Sequence, residues 1–154
     1  MKRINAKDVM RKIIIERIKG KSLNLKGVTI EGDLDLKRTL IEEDLDLEGT
    51  TIKGHLDLRR TVIEENLYLG GATIKKYLYL EKTIIGKDLD LRGTVIEEYL
   101  YLKGTTIEGH LDMVDAKANL IYANGSMALA AHLSLQHRII TSPSKLFPQL
   151  SQHR

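Results

Sequence analysis

A leucine recurs every eleven residues, nine times in succession, and no other feature constrains the fold of this chain as strongly. The leucines are Leu23, Leu34, Leu45, Leu56, Leu67, Leu78, Leu89, Leu100 and Leu111. A fixed period is typical of a chain that coils on itself, because each repeat then packs on its neighbours. The repeat therefore predicts a solenoid.

Each unit contains two short alternations of apolar and polar residues. Residues 56–58 read Leu-Asp-Leu, and residues 61–63 read Thr-Val-Ile. Alternation with a period of two indicates strands, since successive side chains point to opposite faces. The leucine column alone also fits a helix, but the two alternations and the many β-branched residues favour strands. We therefore predict an all-β fold.

A longer period underlies the first. The fifth position of the unit alternates between glycine and a basic residue: Gly27, Arg38, Gly49, Arg60, Gly71, Lys82 and Gly93, followed by Gly104. This alternation predicts coils of about 22 residues with four faces, in which residues 22 apart stack at a strand spacing of about 4.8 Å. The alternative is a two-faced coil of eleven residues, which leaves the alternation unexplained.

The string Leu-Asp-Leu-x-Gly-Thr-x-Ile resembles two pentapeptide repeats with one additional residue. Between Leu23 and Met113 the chain is similar to the pentapeptide-repeat proteins, and it has a weaker similarity to bactofilin-like β-helices. The first resemblance implies a right-handed parallel β-solenoid of quadrilateral section. It also implies pairing of subunits through a C-terminal segment and, as in some members, mimicry of DNA that inhibits topoisomerases. The longer unit and its large inward leucines suggest a wider coil.

The amino-acid composition indicates the cellular location, the thermal environment and the charge distribution of the protein. The 154 residues include no cysteine, which excludes disulfides and thiolate metal sites and favours a reducing, cytoplasmic location. The body of the chain is rich in Ile, Glu and Lys, as in thermophile proteins. All 21 acidic residues lie at or before Asp115, so the body has a net charge of −1 and the remainder one of +4. No stretch predicts a membrane span or a secretory signal.

The two ends are predicted to cap the solenoid, because exposed strand edges favour aggregation. Residues 1–20 read as a capping helix with Asn5 as its N-cap and Gly20 after its C-terminus; a helix lying on a membrane surface is the alternative. Residues 21–115 form the solenoid of nine repeats. Residues 116–154 form a C-terminal cap or tail, with a short helix at about 127–137 followed by extended chain.

Three interpretations of the C-terminal tail stay open. It caps the last coil, it reaches into a neighbouring subunit, or it is a foreign extension that begins near Gly125 and Ser126. The abrupt change in composition after Asp115 supports the third interpretation.

The sequence offers no convincing catalytic or metal site. Paired acids such as Asp44 and Asp46 have the spacing of a general acid and base, but the pair recurs along the repeat, so we predict solvated outward faces. Stacked Asp46, Asp90 and Asp112 lack the glycine-rich loop of a calcium site. His55 and His110 are predicted to lie on opposite sides of a coil. We expect no enzyme activity, no metal and no cofactor.

Tyrosines provide the one candidate binding site. In a 22-residue register Tyr77 stacks on Tyr99 and Tyr79 on Tyr101, with His55 and Asp57 below. Exposed aromatic clusters often mark interfaces, although cross-strand stacking alone also explains them. We predict a non-enzymatic structural or protein-interaction module that forms a homo-oligomer through an end, this face or the tail. The alternative is a topoisomerase- or DNA-related regulator; binding to nucleic acid, membranes or ice is not expected.

Overall fold

The computed structural model describes residues 2–5, 7–9, 11, 13 and 21–123, together with the backbone of 139–140. Within these residues the chain forms short parallel strands stacked in three sheets. Paired strands are offset by 22 residues, so that Leu67 lies opposite both Leu45 and Leu89. The fold is therefore a parallel β-solenoid, and the predicted 22-residue register is confirmed.

Most strands contain two residues. In chain order they are β1 (Arg3–Asn5), β2 (Leu23–Asn24), β3 (Thr29–Glu31), β4 (Leu34–Asp35), β5 (Leu40–Ile41), β6 (Leu45–Asp46), β7 (Thr51–Ile52), β8 (Leu56–Asp57), β9 (Val62–Ile63), β10 (Leu67–Tyr68), β11 (Thr73–Ile74), β12 (Leu78–Tyr79), β13 (Ile84–Ile85), β14 (Leu89–Asp90), β15 (Val95–Tyr101), β16 (Thr106–Ile107), β17 (Leu111–Asp112), β18 (Lys117–Tyr122) and β19 (Ile139–Ile140).

Each 22-residue repeat contributes strands to four parallel ladders. One sheet has the order β17-β14-β10-β6-β2 and a second the order β16-β13-β9-β5. The third has the order β1-β3-β7-β11-β15-β12-β8-β4, and the seven-residue β15 joins its two ladders. Strand β18 pairs with β15 and with β19.

The lumen is filled with aliphatic side chains. The leucines at the first and third positions of the units and the isoleucine at the eighth are buried from Leu23 to Leu102, and the partly buried Ile107, Leu111 and Met113 pack against this cluster. The inward direction of these residues follows from the period-two alternation, because a polar residue separates each inward pair. Burial of these ladders is the main favourable contribution to folding.

Buried threonines connect successive coils. The hydroxyl groups of five threonines each donate a hydrogen bond of 2.6–2.9 Å to a leucine carbonyl 25 residues earlier; these are Thr50, Thr61, Thr83, Thr94 and Thr105. A buried hydroxyl needs such a partner. The bonds explain why the unit favours threonine, and not valine, at its sixth position.

The corners of the coil require a left-handed backbone. Gly27, Gly49, Gly71 and Gly93 have φ between 62° and 67° and lie along one edge. A Cβ atom on Gly49 or Gly93 would lie 4.0 Å from the Cα of the glycine 22 residues earlier. The predicted glycine column is thus confirmed.

The N-terminal segment begins with a strand, β1, that no pattern in the sequence predicts. Strand β1 pairs in parallel with β3, placing Ile4 opposite Ile30. After it the residues 7–9, 11 and 13 are helical, and the side chain of Asn5 accepts a 2.9 Å hydrogen bond from the amide of Asp8. Val9 and Ile13 are buried in the core. The rest of the predicted helix, including Gly20, lies outside the described residues.

The chain continues past the ninth repeat. Residues 117–122 form β18, and β19 pairs with the end of this strand in parallel. The predicted helix at 127–137 and the segment after Thr141 lie outside the described residues. No described helix has the length and apolarity needed to cross a membrane.

Candidate functional site

Six aromatic side chains form one continuous surface on the side of the coil that contains β8 and β12. We call this surface the tyrosine face; it consists of His55, Tyr77, Tyr79, Tyr99, Tyr101 and Tyr122. All six side chains are half-buried. The strands place them there because the residues before and after each inward leucine point outward.

The predicted contacts within this face are present. The ring centroids of Tyr77 and Tyr99 lie 5.5 Å apart, and those of Tyr79 and Tyr101 lie 5.1 Å apart. His55 stacks on Tyr77 at 4.9 Å. The pairing of β8 with β12 places Tyr79 opposite Asp57, as predicted.

Tyr122 also belongs to the tyrosine face, although the 22-residue repeat does not predict it. Its ring stacks on Tyr101 at a centroid distance of 4.8 Å. A 22-residue period would place Ala123 opposite Tyr101, but a register shift after Ile96 places Tyr122 there. The irregularity removes one residue from the last coil, so the repeat alone did not reveal this position.

Packing changes the acidity of the stacked phenols. Burial, with a smaller contribution from neighbouring tyrosines, raises the pKa of Tyr101 to about 12. Burial also raises the pKa of Tyr79, while the nearby Arg59 acts in the opposite direction. The phenols of Tyr79 and Tyr101 are therefore neutral near pH 7 and available for aromatic and hydroxyl contacts.

An ion pair borders the tyrosine face. The Nε atom of Arg59 donates a 2.9 Å hydrogen bond to Asp57, and its guanidinium lies 4.6 Å from the centroid of the Tyr79 ring. Burial opposes the charge of Asp57, but hydrogen bonds from Arg59 and the charges of Arg59 and Lys37 outweigh it and lower its pKa. The arginine is thus fixed between a carboxylate and an aromatic ring.

The paired carboxylates have structural partners. Asp44 accepts a 3.0 Å hydrogen bond from the amide of Asn66 in the next coil, and Asp46 accepts one from the amide of Glu48. The hydrogen bond from the amide of Glu48 to the side chain of Asp46, two residues earlier, forms an Asx turn. The same turn follows Asn24, Asp35, Asp57, Asp90 and Asp112. The prediction of purely solvated faces was therefore incomplete, because many of these carboxylates bind backbone amides.

The other candidate ligands do not converge on a site. His55 precedes β8 in one sheet, whereas His110 precedes β17 in another. Tyr68 stands between Asp46 and Asp90 in their ladder and separates the two acids. Among the described residues no group of three or more acids or histidines is arranged to hold a metal ion.

A second outward tyrosine position provides a contrast. Tyr68 occupies the same position in its unit as Tyr79 and Tyr101 but lies on β10, in a different sheet. Burial and four neighbouring acids, Asp44, Asp88, Asp46 and Asp90, raise its pKa. This sheet therefore presents an acidic surface with one tyrosine, unlike the tyrosine face.

No protein-family model matches this chain, and no significant match is found among the curated proteins or the solved structures.

Proposed function

We propose that this chain is a non-enzymatic structural and protein-interaction module that self-associates through its tyrosine face. The observation that carries the proposal is the continuous contact of six half-buried rings across successive coils. Aromatic residues are enriched in protein interfaces, because a large apolar area is buried at a small cost in conformational entropy. The partner in this proposal is a second copy of the chain.

The rigidity of the scaffold supports this role. Stacked side chains in adjacent coils are joined by ion pairs such as Lys53 with Glu31 and Lys75 with Glu97. Buried threonine hydroxyls and leucine ladders hold the same coils together from inside. A surface held in this way loses little conformational freedom on binding. The backbone amides bound by the carboxylates support a structural rather than a catalytic role for those acids.

The finer architecture belongs to the same proposal. The four ladders form four faces of a right-handed coil, as the likeness to pentapeptide repeats implies. The N-terminal helix closes the first coil, which the burial of Val9 and Ile13 supports. The absence of cysteine supports a cytoplasmic protein, and the Ile-, Glu- and Lys-rich body supports a thermophilic source.

Sedimentation equilibrium of the full chain over a range of concentrations tests the proposal. We expect a dimer that dissociates when Tyr77→Arg and Tyr99→Arg are combined, because the two new charges repel their symmetry mates across the interface. Tyr68→Arg is the matched control on the acidic sheet and should leave the dimer intact. Circular dichroism verifies that each variant folds. A wild-type monomer at every concentration would overturn self-association.

A further inference from the structure

A basic cleft lies at the corner of the coil that follows the strands carrying Asp57 and Tyr79. We call it the basic corner; its volume is about 460 Å³, and it is lined by Lys37, Arg38, Arg59, Arg60, Glu81, Lys82 and Lys103. Six of the seven residues are cations. They come from four successive coils, so equivalent side chains are separated by about one strand spacing, 4.8 Å.

The backbone of this corner is strained at three turns, whereas the opposite corner has one such turn. Arg38, Arg60 and Lys82 have φ of 57°, 59° and 58°. At the equivalent turns on the other side the chain uses glycine four times, and Asp115, with φ of 58°, stands at the fifth; Gly104 completes the basic column with φ of 68°. Glycine thus suffices for the turn. Left-handed backbone at residues with a Cβ atom is costly, and such strain concentrates at functional sites.

Much of the positive charge in the basic corner is not neutralised. Asp57 pairs with Arg59 and Lys37. Within the part of the chain that the structure describes, no ion pair reaches Arg38, Arg60, Lys82 or Lys103. The residues after Asp115 include no acid, so their side chains offer no carboxylate to this cleft.

Glu81 is the one carboxylate in the lining. Its Oε2 atom is buried and has no hydrogen-bond partner among the described residues. Burial raises the pKa of Glu81, and the charges of Arg59 and Lys103 oppose this effect only in part. An ionised carboxylate at this position repels an anion in the cleft, whereas an amide there would donate a hydrogen bond to it.

We propose that the basic corner binds an oligophosphate, a short chain of linked phosphates that is either free or carried by a nucleotide. Closely stacked cations require a ligand with several negative charges in succession, and guanidinium groups match phosphate oxygens in a bidentate geometry. The cleft falls within the usual size range of small-molecule sites, about 300–1,000 Å³.

Single-stranded nucleic acid is the competing ligand, but the neighbouring rings disfavour it. Sequence-tolerant binding of single strands uses free aromatic faces on which bases stack. Tyr101 is stacked between Tyr79 and Tyr122 at 5.1 and 4.8 Å, so both of its ring faces are occupied. His55 likewise covers one face of Tyr77. The ligand is therefore recognised through its phosphates.

Isothermal titration calorimetry of the full chain with sodium tripolyphosphate tests this inference, with orthophosphate, ATP and a short oligothymidylate as comparisons. We expect tripolyphosphate to bind at least about tenfold more tightly than orthophosphate, because one phosphate engages fewer cations. ATP that binds like tripolyphosphate indicates recognition of phosphates alone, whereas tighter binding of ATP identifies a nucleotide as the carrier. Both outcomes support the site.

Two sets of variants locate the binding. Combining Arg38→Gly, Arg60→Gly and Lys82→Gly removes three cations while keeping the turn, and should weaken tripolyphosphate binding by roughly tenfold or more. Combining Lys21→Gln, Lys76→Gln and Lys117→Gln removes the same charge from exposed positions elsewhere and should change it little. Glu81→Gln removes a charge that repels the anion and should strengthen tripolyphosphate binding.

Three results would overturn the proposal. They are no binding of tripolyphosphate by the wild-type chain, equal losses in the two triple variants, or a preference for oligothymidylate over tripolyphosphate. None of them depends on whether the chain dimerises.

Discussion

Asp57 shows how one residue combines several structural tasks. It is 7% exposed, accepts hydrogen bonds from the backbone and side chain of Arg59, and lies below Tyr79 in the ladder. Sequence alternation places it on an outward face, but it does not reveal that its neighbours bury it. The carboxylate therefore positions the arginine that links the tyrosine face to the basic corner.

The same residue makes stability depend on pH. Asp57→Asn should lower the free energy of unfolding by about 1–3 kcal/mol near neutral pH, because a buried charged partner of Arg59 is lost. The folded pKa of Asp57 lies below its ordinary value of 3.8. Its contribution is thus complete above that value and is lost as the pH falls through the folded pKa.

Urea unfolding near neutral pH and well below pH 3.8 measures this effect. The difference in unfolding free energy between wild type and Asp57→Asn should disappear as the pH is lowered. Asp35→Asn changes the exposed acid of the same column and should cost less than about 1 kcal/mol. A gap that stays constant with pH would contradict the assigned ion pair.

At the scale of the strand and turn, the residue at each corner determines how much steric strain the turn contains. Arg60→Gly should raise the free energy of unfolding by about 1 kcal/mol, because glycine adopts the left-handed backbone without steric cost. Lys76→Gly is the control at an exposed position without positive φ and should be destabilising or neutral. Thermal and urea unfolding of the two variants compare them; a less stable Arg60→Gly protein would contradict the argument.

The strands also show what a repeat predicts well. The alternation of glycine with basic residues predicts the 22-residue register, and this register in turn predicts that Tyr77 stacks on Tyr99. Strand β1 was missed because Arg3–Asn5 has no repeat pattern, although it pairs with β3. Tyr122 was missed because a register shift interrupts the period. Periodicity thus predicts contacts only where the repeat is uninterrupted.

The basic corner escaped prediction for a different reason. Its cations come from four repeats that are far apart in sequence and are mixed with acids, so that the net charge of the body is only −1. The separation of charge emerges when the coil places the acids around Tyr68 in one sheet and the cations at the turns of another. Net charge does not report such a distribution.

For the whole molecule, the number of neighbouring coils determines how much each core residue contributes to the free energy of unfolding. Leu67 is fully buried between β6 and β14, whereas Leu111 is half-buried and its strand pairs with one other strand among the described residues. Leu67→Ala should therefore cost about 2–5 kcal/mol of unfolding free energy, and Leu111→Ala distinctly less.

Urea unfolding measures the loss of unfolding free energy in each of the two variants. Amide hydrogen exchange shows which coils become less stable. Exchange should accelerate mainly in the coils next to Leu67, because stability in a solenoid is transmitted between neighbours. Equal costs for the two leucines would contradict a stability that depends on position along the axis.

The 22-residue register also limits how this protein can change its length. Duplication of a full coil would lengthen the tube and keep every outward surface in phase. Duplication of a single eleven-residue unit would keep the leucines inside, yet it would move every later member of the tyrosine face to the side now occupied by Asp46 and Asp90. Natural variants of this architecture should therefore grow or shrink by pairs of units.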